Sequence, residues 1–309
     1  MHIQIALRIL GSLLMMFSLT MIPPVVVSWI FADGVSAIFI DTFLVTLTTG
    51  AVLFALFRNY QQEMRTKDGF LITFLFYMAL GCFGALPLVQ NSGIGLSWAD
   101  ALFESFSGLT TTGATVITGI DDLPKSILFY RQQLQWLGGM GIIVLAVAIL
   151  PMLGIGGMQL YRAETPGPLK DSKLTPRIKQ TAVALWAIYI GLTVACALAY
   201  WLAGMSFFDA VCHSFSTIAI GGFSTHDASI GYFDSAAVEL VAIFFMMLAG
   251  INFGLHFFAW KERSVTHYLR DEEVRFYLLL LLTGTLIVTA VLVNFGTYEV
   301  PQAIRYGAF

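Results

Sequence analysis

Apolar residues run along this chain in long blocks, not in the narrow stripes of a soluble helix. About 20 consecutive apolar residues let a helix cross a bilayer. Seven stretches meet that length: 5–31, 36–57, 70–89, 132–158, 180–203, 236–260 and 276–297. The first is too long for the core of a signal peptide and lacks a clean cleavage site behind it, so it is predicted to span. Pro23-Pro24 are expected to kink it, and Pro151 lies late in the fourth. Two further stretches, 98–110 and 207–219, are moderately apolar, too short to span, and carry polar residues inside them. They predict re-entrant helices that enter the membrane and return.

The basic residues support that topology. With the N-terminus inside, only Lys125, Arg131 and Arg305 of the 16 Lys and Arg fall outside. Such a bias is expected of cytoplasmic loops. Counting either short stretch as a full span would put the later basic clusters on the wrong side. Composition agrees: the chain is 58% hydrophobic and 11% charged, against roughly a quarter charged in soluble domains. Cys82, Cys196 and Cys212 lie in or beside apolar segments without metal-ligand spacing and read as small buried hydrophobes.

The chain repeats itself. Asp100-Ala-Leu-Phe-Glu-Ser-Phe-Ser107 aligns with Asp209-Ala-Val-Cys-His-Ser-Phe-Ser216, 109 positions on, with five of eight residues identical. Without gaps, the same offset pairs Gly113 with Gly222, Gly141 with Gly250, and the flanking spans with one another. One unit is a helix, a short pore helix, a glycine-bearing loop and a second helix. The predicted fold is therefore an all-α membrane protein of potassium-channel-like helix–pore helix–filter loop–helix units around a central pore. An N-terminal helix pair occupies 1–58, a first repeat 70–160 and a second 178–262. A third begins at 274–309, and the sequence reads as continuing beyond Phe309.

Irregular backbone at membrane depth is tolerated only inside protein or along a watery cavity. The loops Leu109-Thr-Thr-Thr-Gly113-Ala-Thr and Ile218-Ala-Ile-Gly-Gly222-Phe-Ser carry no charged side chain. They lack the thiolates and imidazoles of a transition-metal site, but main-chain carbonyls suffice for a weakly hydrated monovalent cation. Glycine at positive φ helps successive carbonyls face one way; the threonine hydroxyls either add oxygens or brace the loop. Asp100 and Asp209 fall near the pore-helix N-termini, as capping carboxylates. The helix C-termini then present partial negative charge to the pore, which favours a cation without choosing potassium over sodium.

Here the sequence resembles a known family. Asp100-Ala-Leu-Phe-Glu-Ser-Phe-Ser-Gly-Leu-Thr-Thr-Thr-Gly-Ala114 and Ser216-Thr-Ile-Ala-Ile-Gly-Gly-Phe-Ser-Thr225 look like the first two pore loops of TrkH/KtrB potassium transporters. Arg131-Gln-Gln-Leu-Gln-Trp-Leu-Gly-Gly-Met-Gly-Ile142 resembles the helix after the first loop, and Tyr161-Arg-Ala-Glu-Thr-Pro-Gly167 the TrkH branch. The resemblance covers almost the whole chain. It implies potassium uptake across a bacterial cytoplasmic (inner) membrane, with K+ as the transported ion and no organic cofactor. It also implies four units around one pathway, a homodimer and a TrkA-like cytoplasmic nucleotide-binding ring. Carried over by position, carbonyls of Thr111, Thr112, Ile220 and Gly221 bind the ion, supported by Thr110, Gly113, Ala219 and Gly222. The second loop departs from the first, since Ala219-Ile220-Gly221 replaces three threonines. Carbonyl coordination survives that change; hydroxyl coordination does not. The family's gate lies in a third-unit helix outside this sequence.

Several residues carry two readings. Glu104 and His213 share a repeat position, either as tuning groups near the pore or as hydrogen-bonding members of the helix packing. Arg131 either pairs with Asp121, Asp122 or Glu104 or snorkels to the interface. Gly138-Gly-Met-Gly141 and Gly154-Ile-Gly-Gly157 are hinges or close-packing sites. Asn252 and His256 face the pore or bond between helices, and Arg162–Lys179 meets a cytoplasmic partner or simply sets topology. An ion-coupled symporter is the competing function, although its repeats are often inverted. An enzyme is disfavoured: Ser216 and His213 lie three apart on one helix without a third group to orient them.

Overall fold

A computed structural model describes residues 3–60, 66–91, 93–139, 141 and 178–309, with side chains over a slightly narrower set. Among them every regular element is a helix. The N-terminal pair comprises α1 (Ile3–Ser18), α2 (Ile22–Phe31) and α3 (Ser36–Phe57). The first span turns to 3-10 geometry at Leu19–Met21, just ahead of Pro23-Pro24, which occupy the first turn of α2. Glycines bring α1 and α3 together: a Cβ on Gly11 would stand 2.7 Å from the Gly50 carbonyl oxygen, and one on Gly50 2.8 Å from that of Gly11. Small residues at such crossings let two backbones pack closely in a membrane.

The first repeat follows as α4 (Thr66–Gly84), α5 (Leu86–Gln90), the pore helix α6 (Trp98–Leu109) and α7 (Lys125–Gly139). Gln133 Nε2 donates to the Thr20 carbonyl (2.6 Å) and the Ser126 N–H to Asp33 Oδ2 (2.9 Å), fixing α7 to the N-terminal pair. The second comprises α8 (Ile178–Leu202), the pore helix α9 (Phe207–Ala219), α10 (Ala236–Ala249) and α11 (Phe253–Glu262). After the short α12 (Thr266–Arg270) come α13 (Glu272–Asn294) and α14 (Val300–Ala308).

Among the described residues, five helical segments are long and apolar enough to cross a bilayer: Ile3–Phe31, Ser36–Phe57, Leu71–Gln90, Val183–Leu202 and Glu272–Asn294. The stretch 236–260, read above as one span, is apolar enough to span but is built of two helices bent by 90° at a short break. Asn252 causes the break by capping α11, its Oδ1 accepting from the Gly254 N–H at 2.9 Å. His256 then reaches back across the bend. Its Nε2 lies 2.9 Å from the Leu248 carbonyl and its Nδ1 2.9 Å from the Tyr268 hydroxyl. A carbonyl only accepts, so Nε2 carries the proton and Tyr268 donates. His256 therefore serves helix–helix bonding, while Asn252 caps its own helix, and among the described residues neither is seen at a pore. The fourth expected span also differs, starting at Lys125 and not at 132. Residues 142–177, with Pro151, Gly154–Gly157 and most of the basic loop, lie outside the described residues.

Candidate ion filter at the paired re-entrant loops

The two pore helices are built alike at both ends. Ser97 and Ser206 are the N-caps; each hydroxyl accepts from the N–H of Asp100 or Asp209, at 3.2 and 3.1 Å. Asp100 Oδ2 returns the contact to the Ser97 N–H and hydroxyl, completing a capping box. The aspartates thus act at the third helical position, one turn inside the cap. At the C-termini the Thr112 N–H donates to Ser107 O (2.9 Å) and the Thr111 N–H to Gly108 O (3.0 Å). The Gly221 N–H to Ser216 O (2.8 Å) and Ile220 N–H to Thr217 O (3.1 Å) bonds repeat the pattern. This is the Schellman closure, whose pivotal residue is left-handed and usually glycine. Here it is Thr111 (φ +53°) and Ile220 (φ +52°), each followed two residues later by a left-handed glycine, Gly113 (φ +74°) and Gly222 (φ +84°). A β-branched residue with positive φ is an outlier, and such strain concentrates at functional sites.

Beyond these closures both loops leave helical geometry, and they touch. A Cβ on Gly113 would fall 1.9 Å from the Gly221 carbonyl oxygen and 3.3 Å from Gly222 Cα. The loops therefore meet backbone to backbone, at positions where only glycine fits. Among the described residues no donor reaches the carbonyls of Thr111, Thr112 or Ile220, whereas Gly221 O accepts from Gln135 Nε2. Thr112 and Ile220 are exposed. The threonine hydroxyls brace the loop: Thr110 Oγ1 donates to Phe106 O (2.7 Å) and lies 2.8 Å from Thr112 Oγ1. Ala219 is packed in the pore-helix end, with Gly139 so near that a Cβ there would stand 2.7 Å from Ala219 Cα. Gly138 likewise closes on the Leu109 carbonyl, so both glycines serve close packing.

Charged residues hold the loops from behind. Arg131 and Glu104 are both buried and pair at 3.3 Å. Glu104 Oε1 also accepts from the Thr115 hydroxyl (2.5 Å) and the Val116 N–H (2.6 Å). Arg131 reaches into the second unit as well, donating to Ser224 O at 3.3 Å and lying 4.4 Å over the Phe223 ring. Of the partners open to Arg131 the structure selects Glu104. In the second unit His213 takes the place of Glu104, its Nδ1 donating to Asp209 O (2.9 Å) and its Nε2 accepting from Ser224 Oγ (2.9 Å).

An outer clasp joins the two units. Asp121 Oδ1 accepts from His226 Nδ1 and its Oδ2 from the Asp227 N–H (3.1 Å), while Asp227 Oδ1 accepts from the Gly119 N–H (3.1 Å). The bond from His226, then that from Asp227, hold the Asp121 carboxyl below its usual range. Sequence reasoning missed this clasp and the contact between Gln135 and Gly221. The cluster Gln132-Gln133-Leu-Gln135 within an apolar helix was the available signal.

The family model for TrkH, described as a cation transport protein, matches residues 35–300. The Trk system potassium uptake protein TrkH of Halomonas elongata is 62% identical over all of this chain and 64% of its own length. That of Escherichia coli K12 is 56% identical over 97% of this chain and 62% of its own. The crystal structure of the potassium transporter TrkH from Vibrio parahaemolyticus superposes with a TM-score of 0.87 at 48% identity, over 100% of this chain and 63% of that one. Each relative is named for potassium transport, not for a reaction, and the chain spans less than two thirds of each. The chain belongs to the TrkH family of cation transport proteins.

Proposed function

We propose that this chain forms two complete units, and the start of a third, of a potassium uptake pathway with a filter of main-chain carbonyls. The observation that carries this reading is the meeting of two strained, non-helical loops at Gly113 and Gly221, where no donor among the described residues reaches the carbonyls of Thr111, Thr112 and Ile220. A carbonyl has two lone pairs, so Gly221 remains in the ligand set while bonded to Gln135. Thr110, Gly113, Ala219 and Gly222 support it. Potassium is transported cargo, and carbonyl dipoles replace its hydration shell. Among the described residues, a Cβ on Gly222 would meet nothing within 4 Å. That open side suits a further unit seated there, as Gly113 is seated on the second loop.

The N-terminal pair (1–58) buttresses the repeats 70–160, 178–262 and 274 onward. The protein sits in a bacterial cytoplasmic membrane with its N-terminus inside, a homodimer gated by a TrkA-like nucleotide-binding ring. The basic bias and the named relatives support this setting. Complementation of a potassium-uptake-deficient bacterium, with the ring partner present, tests the reading; growth at limiting potassium is expected. Well-expressed protein that fails, or uptake that requires a sodium or proton gradient, would favour a coupled symporter.

A further inference from the structure

Gln135 lies one turn beyond Arg131 on α7 and is completely buried. The repeat does not foretell it, because the matching position holds Phe244, exposed on α10. Its side-chain amide meets the second loop as a peptide group would. Nε2 donates to Gly221 O (2.7 Å) and Oε1 accepts from the Phe223 N–H (3.0 Å). The two bonded groups flank Gly222, the left-handed residue of that loop. Gly221 leaves no room for anything larger, since a Cβ there would stand 2.4 Å from the Gln135 amide carbon. The same Gly221 oxygen is the atom against which Gly113 of the first loop packs. One carbonyl thus joins helix α7, the second loop and the first.

Resting on the filter reading, we propose that Gln135 is a positioning residue for ion discrimination. Its amide fixes the peptide groups on either side of Gly222 and, through Gly221 O, the separation of the two loops. Whether selectivity follows cavity size or the number and field of the dipoles, both require those oxygens to be held. A side chain spanning two peptide groups holds them without entering the pathway.

The test compares potassium against sodium flux in liposomes carrying the intact protein, as wild type, Q135L and Q135E. Q135L removes donor and acceptor; Q135E keeps shape and acceptor but, ionised, loses the donor. Both are expected to reconstitute and pass potassium, with discrimination falling about tenfold, the scale of one or two lost hydrogen bonds. A role in folding alone would lower total flux and thermal stability while leaving the ratio unchanged. Should Q135L fail to reconstitute, Q135E carries the comparison. A selective wild type with equally selective variants overturns this inference alone. A wild type without selective flux overturns the filter reading and this inference with it.

Discussion

Glu104 and His213 stand at the same place in the two repeats and hold the same place in their loops, Thr115 in one and Ser224 in the other, each accepting from that hydroxyl, one through a carboxylate and the other through an imidazole. Glu104 accepts; His213 accepts from Ser224 through one ring nitrogen and donates to its own helix through the other. The acid needs a buried counter-charge, and Arg131 supplies it. The histidine needs none. The packing reading of both residues therefore covers what the structure shows of them, with the first unit committed at this position to the Glu104–Arg131 ion pair and the second to a histidine held by hydrogen bonds.

That commitment is testable. Removing one partner of a buried pair strands the other and costs about 3–5 kcal/mol. E104A should therefore lower the thermal midpoint in detergent sharply. The E104M/R131M double variant should recover part of the loss, because two apolar groups leave no uncompensated charge. Additive losses would show that the two side chains act independently.

Gly113 is constrained by a left-handed φ and by contact with Gly221 O. G113S adds a Cβ where neither permits one, so the two loops must part. Potassium over sodium permeability should fall while sodium entry persists. An unchanged ratio would remove Gly113 from the filter.

Ile220 pays a conformational penalty in the left-handed region and is 46% exposed, so little burial offsets it. I220G should leave thermal stability unchanged or raise it by about 1 kcal/mol, relief of strain set against the entropy of glycine. Selectivity should fall, because a glycine no longer fixes the carbonyl. A clear loss of stability would mean that the Ile220 side chain contributes packing to the fold.

The outer clasp gives an acid limb. The Asp121 pKa is lowered from 3.8, first by the bond from His226, so its folded form favours the carboxylate. The stability it contributes is present above pH 3.8 and lost as pH falls through the lowered value. D121N should flatten this limb in an acid titration of thermal stability, while wild type declines.

Much of this arrangement was legible in the sequence. The pore helices predicted at 98–110 and 207–219 run Trp98–Leu109 and Phe207–Ala219, and their matching caps follow the 109-residue repeat. What could not be read was whatever departs from the repeat. Arg131 and Gln135 match Leu240 and Phe244, so no symmetry pointed to their reach into the second loop. Asp121 and Asp227 exchange bonds across distant outer loops that share no motif. The break at Asn252 hides inside an apolar run because one cap residue outweighs hydropathy there.

The most direct measurement is anomalous diffraction from crystals of the intact protein grown with thallium or rubidium ions in place of potassium. The loops should hold an anomalous peak between the carbonyls of Thr111–Thr112 and those of Ile220–Gly221. Well-ordered loops without such a peak, with ions bound elsewhere, would contradict the filter.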